Sequence, residues 1–522
     1  MFRNLKGLSI RAIIILAFFS LNIFVLTQAI YTSYNWFWIF PLTIGLFVVV
    51  LFNSVQQKHT LLYNFPLLGY FRYFLESIRP ELRQYFWESD LDGKPFNRRQ
   101  RSIVYQRAKN ERQTVAFGMQ EDPNAPGYEW VAHSVFPTKL KDRLRVKIGN
   151  DQCRQPYDAS ILNIGAMSYG ALSKTAIASL NEGAKLGRFA HNTGEGGISD
   201  YHLQGGDLIW QIGTGYFGCR DAFGKFSSSL FKETAALENI KMIELKLSQG
   251  AKPGHGGILP ASKNTVEIAA IRNVVPHTTV YSPPGHSCFG NAIEMIRFVG
   301  FLRTLSEGKP VGFKLCIGNK QEFIRICEAI NITGIIPDFI TIDGAEGGTG
   351  AAPLEFTDHI GMPLYDALVF VTQTLNLFGL KGKIALIAAG KIITAFDMMK
   401  LLALGASACY SARAMMFSLG CIQALKCDSG HCPAGIATQN ESLYKGLKVT
   451  DKRVRVANYH RNTLEAVAEM MDACGFERIL DIKPDKFFRK IDQLKTKSFK
   501  QLYFDQMDGK LKENWFKANM LN

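Results

Sequence analysis

No two of the ten cysteines stand two residues apart, as they do in the common zinc motifs, and most sit singly inside apolar runs. A secreted disulfide framework is therefore not expected. Long blocks of one charge are also missing. The only short basic clusters are Arg98-Arg99-Gln100-Arg101 and Lys452-Arg453-Val454-Arg455. Neither is the dense basic stripe that a nucleic-acid surface needs, so no nucleic-acid partner is expected. The composition, 47% hydrophobic and 20% charged, excludes a disordered chain. Its 522 residues exceed one ordinary compact domain and suit a barrel of roughly 250 residues with extensions.

What is present is a scattered excess of positive charge, 60 Lys and Arg against 45 Asp and Glu. It fits the flanks of a membrane segment, anionic substrates, a cofactor phosphate and an acidic electron carrier. Ala12 to Ile30 and Trp36 to Phe52 are each apolar over about the ~20 residues that cross a bilayer as a helix. A cleaved signal peptide is the competing reading. The first run is too long for a signal core, and a second follows at once. A buried hairpin in a soluble protein is the other alternative. Arg3, Lys6 and Arg11 precede the first run, Lys58, Arg72 and Arg79 follow the second, and the turn between has no charge. A multi-pass anchor in the inner membrane over residues 1–54 is expected, with the bulk of the chain in the cytoplasm.

Residues 55–150 read as a cytosolic lead-in. From Ile161 short apolar strands alternate with helices. Strands are expected at Ile161–Ser168, Met242–Leu247, Thr278–Ser282, Val311–Ile317, Phe339–Ile342, Ile384–Ala389 and Ala408–Ser411. The alternation predicts an α/β fold with parallel strands, a (β/α)8 TIM barrel over 151–440, with a doubly wound sheet as runner-up. Residues 441–522 read as a C-terminal helical extension.

Four constellations carry chemistry. Gly344-Ala345-Glu346-Gly347-Gly348-Thr349-Gly350, Gly390-Lys391 and Ser411-Ala412-Arg413 follow three successive strands, where barrels build phosphate sites. Lys246-Leu247-Ser248-Gln249-Gly250-Ala251-Lys252-Pro253-Gly254 places cations on a glycine-rich strand exit, which suits an anionic substrate. Asn192-Thr193-Gly194-Glu195-Gly196-Gly197 sets a carboxylate between glycines, a candidate proton donor or ammonium ligand. Cys421, Cys427 and Cys432, the last followed by Pro433, fit iron–sulfur ligation, with zinc and His431 as the competitor.

Together with Gly165-Ala166-Met167-Ser168-Tyr169-Gly170, these motifs resemble the FMN-binding synthase domain of glutamate synthases from about residue 160 to 440. The whole chain most resembles short stand-alone members of that family. The resemblance implies a barrel with FMN at its C-terminal face and a [3Fe-4S] cluster beside it. It implies reductive amination of 2-oxoglutarate with ammonia to L-glutamate, within amino-acid metabolism. Carried over residue by residue, Glu195 and Lys246 lie at the imino centre, and Gln249, Lys252 and Arg272 hold the substrate carboxylates. Met167, Ser168 and Lys314 lie at the flavin ring. Gly348, Thr349, Gly390, Lys391 and Arg413 hold its phosphate, and Cys421, Cys427 and Cys432 ligate the cluster.

Full glutamate synthases begin with a glutaminase domain whose nucleophile is an N-terminal cysteine. This chain begins Met1-Phe2, and neither that domain nor an NADPH-binding fold is expected. Electrons would come from an external donor such as a ferredoxin or a reductase subunit, and a homo-oligomer is admitted. His255 and Ile258 stand where the family usually has glutamate and glutamine. They leave open a different 2-oxo acid or amine, or an electron-transfer or scaffold role.

Overall fold

In the computed structural model, residues 9–111 and 114–505 are described. Arg3, Lys6 and the lysine-rich tail past residue 505 lie outside them. The chain divides into two compact units at Arg98. The division falls within the stretch expected as a single lead-in.

The first unit holds the two apolar runs. Ile10–Tyr31 is a 22-residue helix, about 33 Å at 1.5 Å per residue, long enough for a bilayer core. Phe40–Val55 has 16 residues, about 24 Å, and does not reach the full span. It is shorter than its apolar run because Tyr34–Trp38 winds into a tighter turn, and Pro41 opens the helix that follows. The expected pair of full-length spans is thus one long helix and one shorter one. They pack together as a hairpin, where the buried Asn22 amide donates to Phe18 O and to Thr43 O at 2.8 and 3.2 Å.

The second unit is a closed barrel of eight parallel strands in sequence order. They are β1 Leu162–Ile164, β2 Ala190–Asn192, β3 Asp207–Ile212, β4 Ile240–Lys246, β5 Val311–Leu315, β6 Phe339–Asp343, β7 Ala385–Ala389 and β8 Ala408–Ser411. β8 closes on β1 through Tyr410 and Asn163. The barrel reading holds and the open sheet is excluded. Two expectations change. Thr278–Ser282 contains no barrel strand, because Val280–Tyr281 pairs antiparallel with Ile258–Leu259 in an excursion between β4 and β5. β2 and β3 are barrel strands outside the expected set, and their connection, 193–206, carries no helix.

Alternation along the strands builds the interior in layers. The floor is apolar. Ala190, Ile209, Met242, Phe339, Ile387 and Ala408 meet Ile148 and Ala159 of the hairpin Arg145–Ile148/Tyr157–Ser160. Two residues further along, the strands present Asn192, Gln211, Glu244 and Thr341, all buried. Two further still, they present Lys246 and Asp343, with Lys314 on β5. Gly312 precedes Lys314 by two and makes room for Phe339: a Cβ there would meet the Phe339 ring at 2.6 Å.

Flanking segments close the barrel wall. Helix Val449–Cys474 lies against helix Lys174–Gly187, so close that a Cβ on Gly183 would sit 2.6 Å from Val456 Cβ. Glu129–Val131 from the lead-in pairs with Phe487–Lys490 from the extension.

Candidate active site

Every residue singled out at a strand exit lies at the C-terminal mouth of the barrel. The layer below it determines what the mouth can hold. Glu244 is buried, and its carboxylate accepts from Asn192 Nδ2 at 2.8 Å, Gln211 Nε2 at 2.7 Å and the Thr341 hydroxyl at 2.6 Å. These bonds satisfy a charge that burial alone would not tolerate. Above it, Lys314 Nζ stands 3.1 Å from Asp343 Oδ2. Burial opposes the Lys314 charge, but Asp343 and Glu244 outweigh it and raise its pKa. Asp343 also accepts from Gly250 N at 2.9 Å, which ties the loop after β4 to the end of β6.

Lys246, the last residue of β4, pairs with Glu195 Oε1 at 2.6 Å. Burial pushes the Glu195 carboxyl up, yet Lys246, Lys252 and Arg272 together hold it below the usual carboxylate range. One carboxylate thus faces three cations on one side of the mouth. Lys252 is buried in the loop after β4, and burial with the neighbouring Lys246 charge lowers its pKa. Arg272 ends helix Val266–Arg272 of the excursion. Its NH2 donates to Tyr169 O at 3.1 Å, its guanidinium lies 5.1 Å from the Phe217 ring centroid, and its buried Nε has no protein partner. Burial lowers its pKa to about 10. The excursion is held over the mouth by Tyr169, whose hydroxyl donates to Glu267 at 2.6 Å. Gln249 lies half-buried on the same loop as Lys252.

The opposite rim is the glycine-rich one. Gly390 (φ 141°) and Lys391 (φ 48°) turn the chain sharply after β7. Arg413 opens the helix after β8, and its NH2 donates to Glu346 O at 2.5 Å. Burial lowers its pKa to about 10. Gly348 lies against it: a Cβ there would meet Arg413 Nε at 2.8 Å. Thr349 stands beside Gly348, its hydroxyl bonded to Ala351 O at 3.1 Å. Between the rims, Met167 is buried after β1 and its N–H donates to Asn192 O at 3.2 Å. Ser168 lies so close to Gly194 that a Cβ on the glycine would meet Ser168 N at 2.8 Å.

The cysteine loop and the segment after it are tied to the turn after β1, to the excursion and to helix Arg98–Lys109. Ser173 Oγ donates to Gly435 O at 2.7 Å, and Gln439 Nε2 donates to Gly170 O and Leu172 O at 3.2 and 3.0 Å. From the excursion, Lys263 Nζ donates to Cys427 O at 2.8 Å. Tyr105 donates to Cys421 O at 2.6 Å.

A family model for a conserved region in glutamate synthase matches residues 110–477. The glutamate synthase large subunit-like protein YerD of Bacillus subtilis is 37% identical over 84% of this chain and 92% of its own length. The chain belongs to the glutamate synthase family. It is also similar to the archaeal glutamate synthase [NADPH] of Methanocaldococcus jannaschii, at 34% identity over 70% of this chain and 68% of that protein. Against the glutamate synthase [NADPH] large chain of Bacillus subtilis it is 32% identical, but it spans only 20% of that chain.

Membership makes the fit of the family's cofactors testable on this geometry. Among the described residues, no three or more His, Cys, Asp or Glu side chains converge as ligands of one metal ion. Ligands of a single zinc would all lie ~2.3 Å from one point. The thiolates of a multi-iron cluster bind different irons and need not converge so. His431, the remaining zinc candidate, is exposed. The Cys421 thiol is pushed up to about 12, by burial first and then by the nearby Cys427 and Cys432. Arg101, buried with its Nε unpartnered, and Lys263 are the cations facing these thiols. Three thiols with two compensating cations are a donor set that fits an anionic cluster. The glycine cradle at 194 and 348 and the cations at 314, 391 and 413 likewise fit a flavin with its phosphate, and the orphaned Arg272 Nε leaves a donor for an anionic substrate.

Four contributors escape sequence reasoning. Glu244 has a visible signal, a lone carboxylate inside an apolar strand. Asp343 has a weaker one, at the end of β6. His286 has none. Its Nε2–H donates to Lys246 O at 2.8 Å, leaving a buried Nδ1 without a partner. Arg101 stands out in the sequence only as part of a basic cluster.

Proposed function

We propose that this chain carries FMN and a [3Fe-4S] cluster and forms L-glutamate from 2-oxoglutarate, ammonia and electrons from an external donor. The observation that carries this reading is the grouping of Lys246, Lys252 and Arg272 around Glu195, on the same mouth as the Lys314–Asp343 pair. A dicarboxylate needs two cationic anchors, and Lys252 and Arg272 supply them with Gln249. The Lys246–Glu195 pair would hold and move a proton at the imino nitrogen of 2-iminoglutarate. Reduced flavin, when bound, supplies hydride to the imino carbon. Lys314 keeps a buried positive charge where negative charge would develop on the ring edge. Gly348, Thr349, Gly390, Lys391 and Arg413 would hold the phosphate, and Met167 and Ser168 the ring face. Cys421, Cys427 and Cys432 would hold the cluster, on a loop bonded to the flavin-side turn after β1.

Ammonia and reductant come from outside this barrel, the latter from a ferredoxin or a separate reductase subunit. The N-terminal hairpin anchors the chain in the inner membrane, with the catalytic unit in the cytoplasm. A second reading keeps the cofactors and changes the 2-oxo acid. It rests on His255, whose ring packs edge-on to Phe356 at 5.6 Å in the loop after Lys252.

The test is isotopic. Anaerobically reduced protein given 2-oxoglutarate and nitrogen-labelled ammonium should release labelled glutamate. Flavin-loaded protein that releases none, yet turns over another 2-oxo acid, would transfer the reading to that substrate.

A further inference from the structure

Helix Leu68–Leu82 follows the apolar hairpin within the first unit, and its sequence is two-faced. At 3.6 residues per turn, Leu68, Phe71, Phe74, Leu75, Ile78 and Leu82 fall within about 120° of one another. Arg72 and Arg79 border that arc, and Tyr73, Ser77 and Pro80 lie opposite. Among the described residues of the first unit nothing covers the apolar face: Phe71 is 65% exposed and Phe74 57%. The next turn, Arg83–Trp87, adds Phe86 and Trp87, 77% and 70% exposed. A run of exposed aromatic side chains this dense needs a cover.

The hairpin indicates which cover. The Tyr70 hydroxyl donates to Asn53 Oδ1 at 3.3 Å, and Asn53 is buried near the end of helix Phe40–Val55. Arg11, near the start of helix Ile10–Tyr31, stacks 4.1 Å over the Tyr63 ring. Gly69 lies so close to Leu62 that a Cβ would meet its Cδ2 at 2.8 Å. The aromatic helix is therefore fastened at the end of the hairpin where the first apolar helix begins and the second ends. In a bilayer that is the level of the lipid headgroups, where aromatic rings and flanking arginines partition.

We propose that helix Leu68–Leu82 lies in the plane of a phospholipid surface, with its Phe71–Phe74–Leu75 face among the upper acyl chains, Arg79 at the level of the lipid phosphates and Arg72 paired with Glu76 at 3.4 Å beside it. This inference rests on the hairpin being a membrane anchor. It adds a second, in-plane membrane contact to the first unit.

The test uses the full chain, reconstituted in vesicles of phosphatidylethanolamine and phosphatidylglycerol, with photoreactive benzoylphenylalanine replacing one residue at a time. The positions are Phe71, Phe74, Ser77 and Phe19, the last a half-exposed residue within the first apolar helix. Lipid adducts at Phe71 and Phe74 several-fold above those at Ser77 are expected, with strong adducts at Phe19. Lipid adducts at Phe19 but not at Phe71 or Phe74 overturn this inference and leave the anchor standing. So do cross-links from Phe71 to residues beyond 98 or to a second copy. An absence of lipid adducts at Phe19 removes the anchor itself and this inference with it.

Discussion

The two ends of the barrel both carry buried ion pairs, and they differ in how far those pairs are satisfied. At the N-terminal end Asp338 accepts from Arg303 Nε at 3.0 Å, from Asn150 N at 3.0 Å and from Val311 N at 2.9 Å. Arg303 in turn donates to Gln152 Oε1 at 2.9 Å and to Ile336 O. That network is closed on itself. At the C-terminal mouth Arg272 keeps an unpartnered Nε, His286 an unpartnered Nδ1, and one carboxylate, Glu195, serves three cations. A closed network fixes a fold, whereas an open one has capacity left for a ligand. The same residue types therefore do structural work at one end and chemistry at the other, as parallel barrels generally divide them.

The contrast can be broken from either side. The largest effect is expected at the mouth. Lys246→Met should lower turnover by about 10²–10⁴-fold through loss of the proton-handling group. Its unfolding midpoint should stay near that of the parent, because Lys252 and Arg272 still face Glu195. Steady-state rates beside thermal unfolding check both halves. Asp338→Ala should do the reverse. Leaving Arg303 buried without its carboxylate should cost about 3–5 kcal/mol of stability, read by denaturant unfolding. Turnover per folded molecule at a permissive temperature should hardly change. An equal loss of activity in both variants would erase the distinction between the ends.

A smaller effect is expected at Lys252. Lys252→Ala removes a charged hydrogen-bond donor worth about 1.5–3 kcal/mol. The KM for 2-oxoglutarate should rise by roughly 10- to 100-fold at unchanged flavin content, the equivalent at 1.4 kcal/mol per decade. The smallest effect is a pH limb. Burial lowers the Lys252 pKa, so its cation is lost earlier on the alkaline side than an ordinary lysine's. The KM should therefore begin to climb below the usual lysine range. Lys252→Arg, which stays charged, should push that climb to higher pH. A KM profile identical in the two proteins would remove Lys252 from the anion site.

Only the mouth half of this contrast is legible in the amino-acid sequence, where nothing singles out Arg303 or Asp338. Period-two alternation along Met242, Glu244 and Lys246 states in one dimension what the interior layers show in space, and the glycines at 194, 348 and 390 mark the strand exits. Pairing is not legible there. That Lys314 meets Asp343, or that Arg272 returns over Glu195, depends on the register of barrel closure and on the path of the excursion. No spacing in the sequence encodes either. Thr278–Ser282 reads as a barrel strand because a short β-branched run fits a hairpin edge equally well. The second apolar run reads as longer than its helix because hydrophobicity does not report the tight turn at Tyr34–Trp38.

The most direct test of the account is the absorbance of anaerobically reduced, detergent-purified protein on addition of 2-oxoglutarate and ammonium. The expected result is a flavin spectrum whose oxidised band returns only when both substrates are present, and fails to return in Lys246→Met. Protein isolated without oxygen that shows no flavin spectrum, or a flavin reoxidised equally well without ammonium, would contradict it.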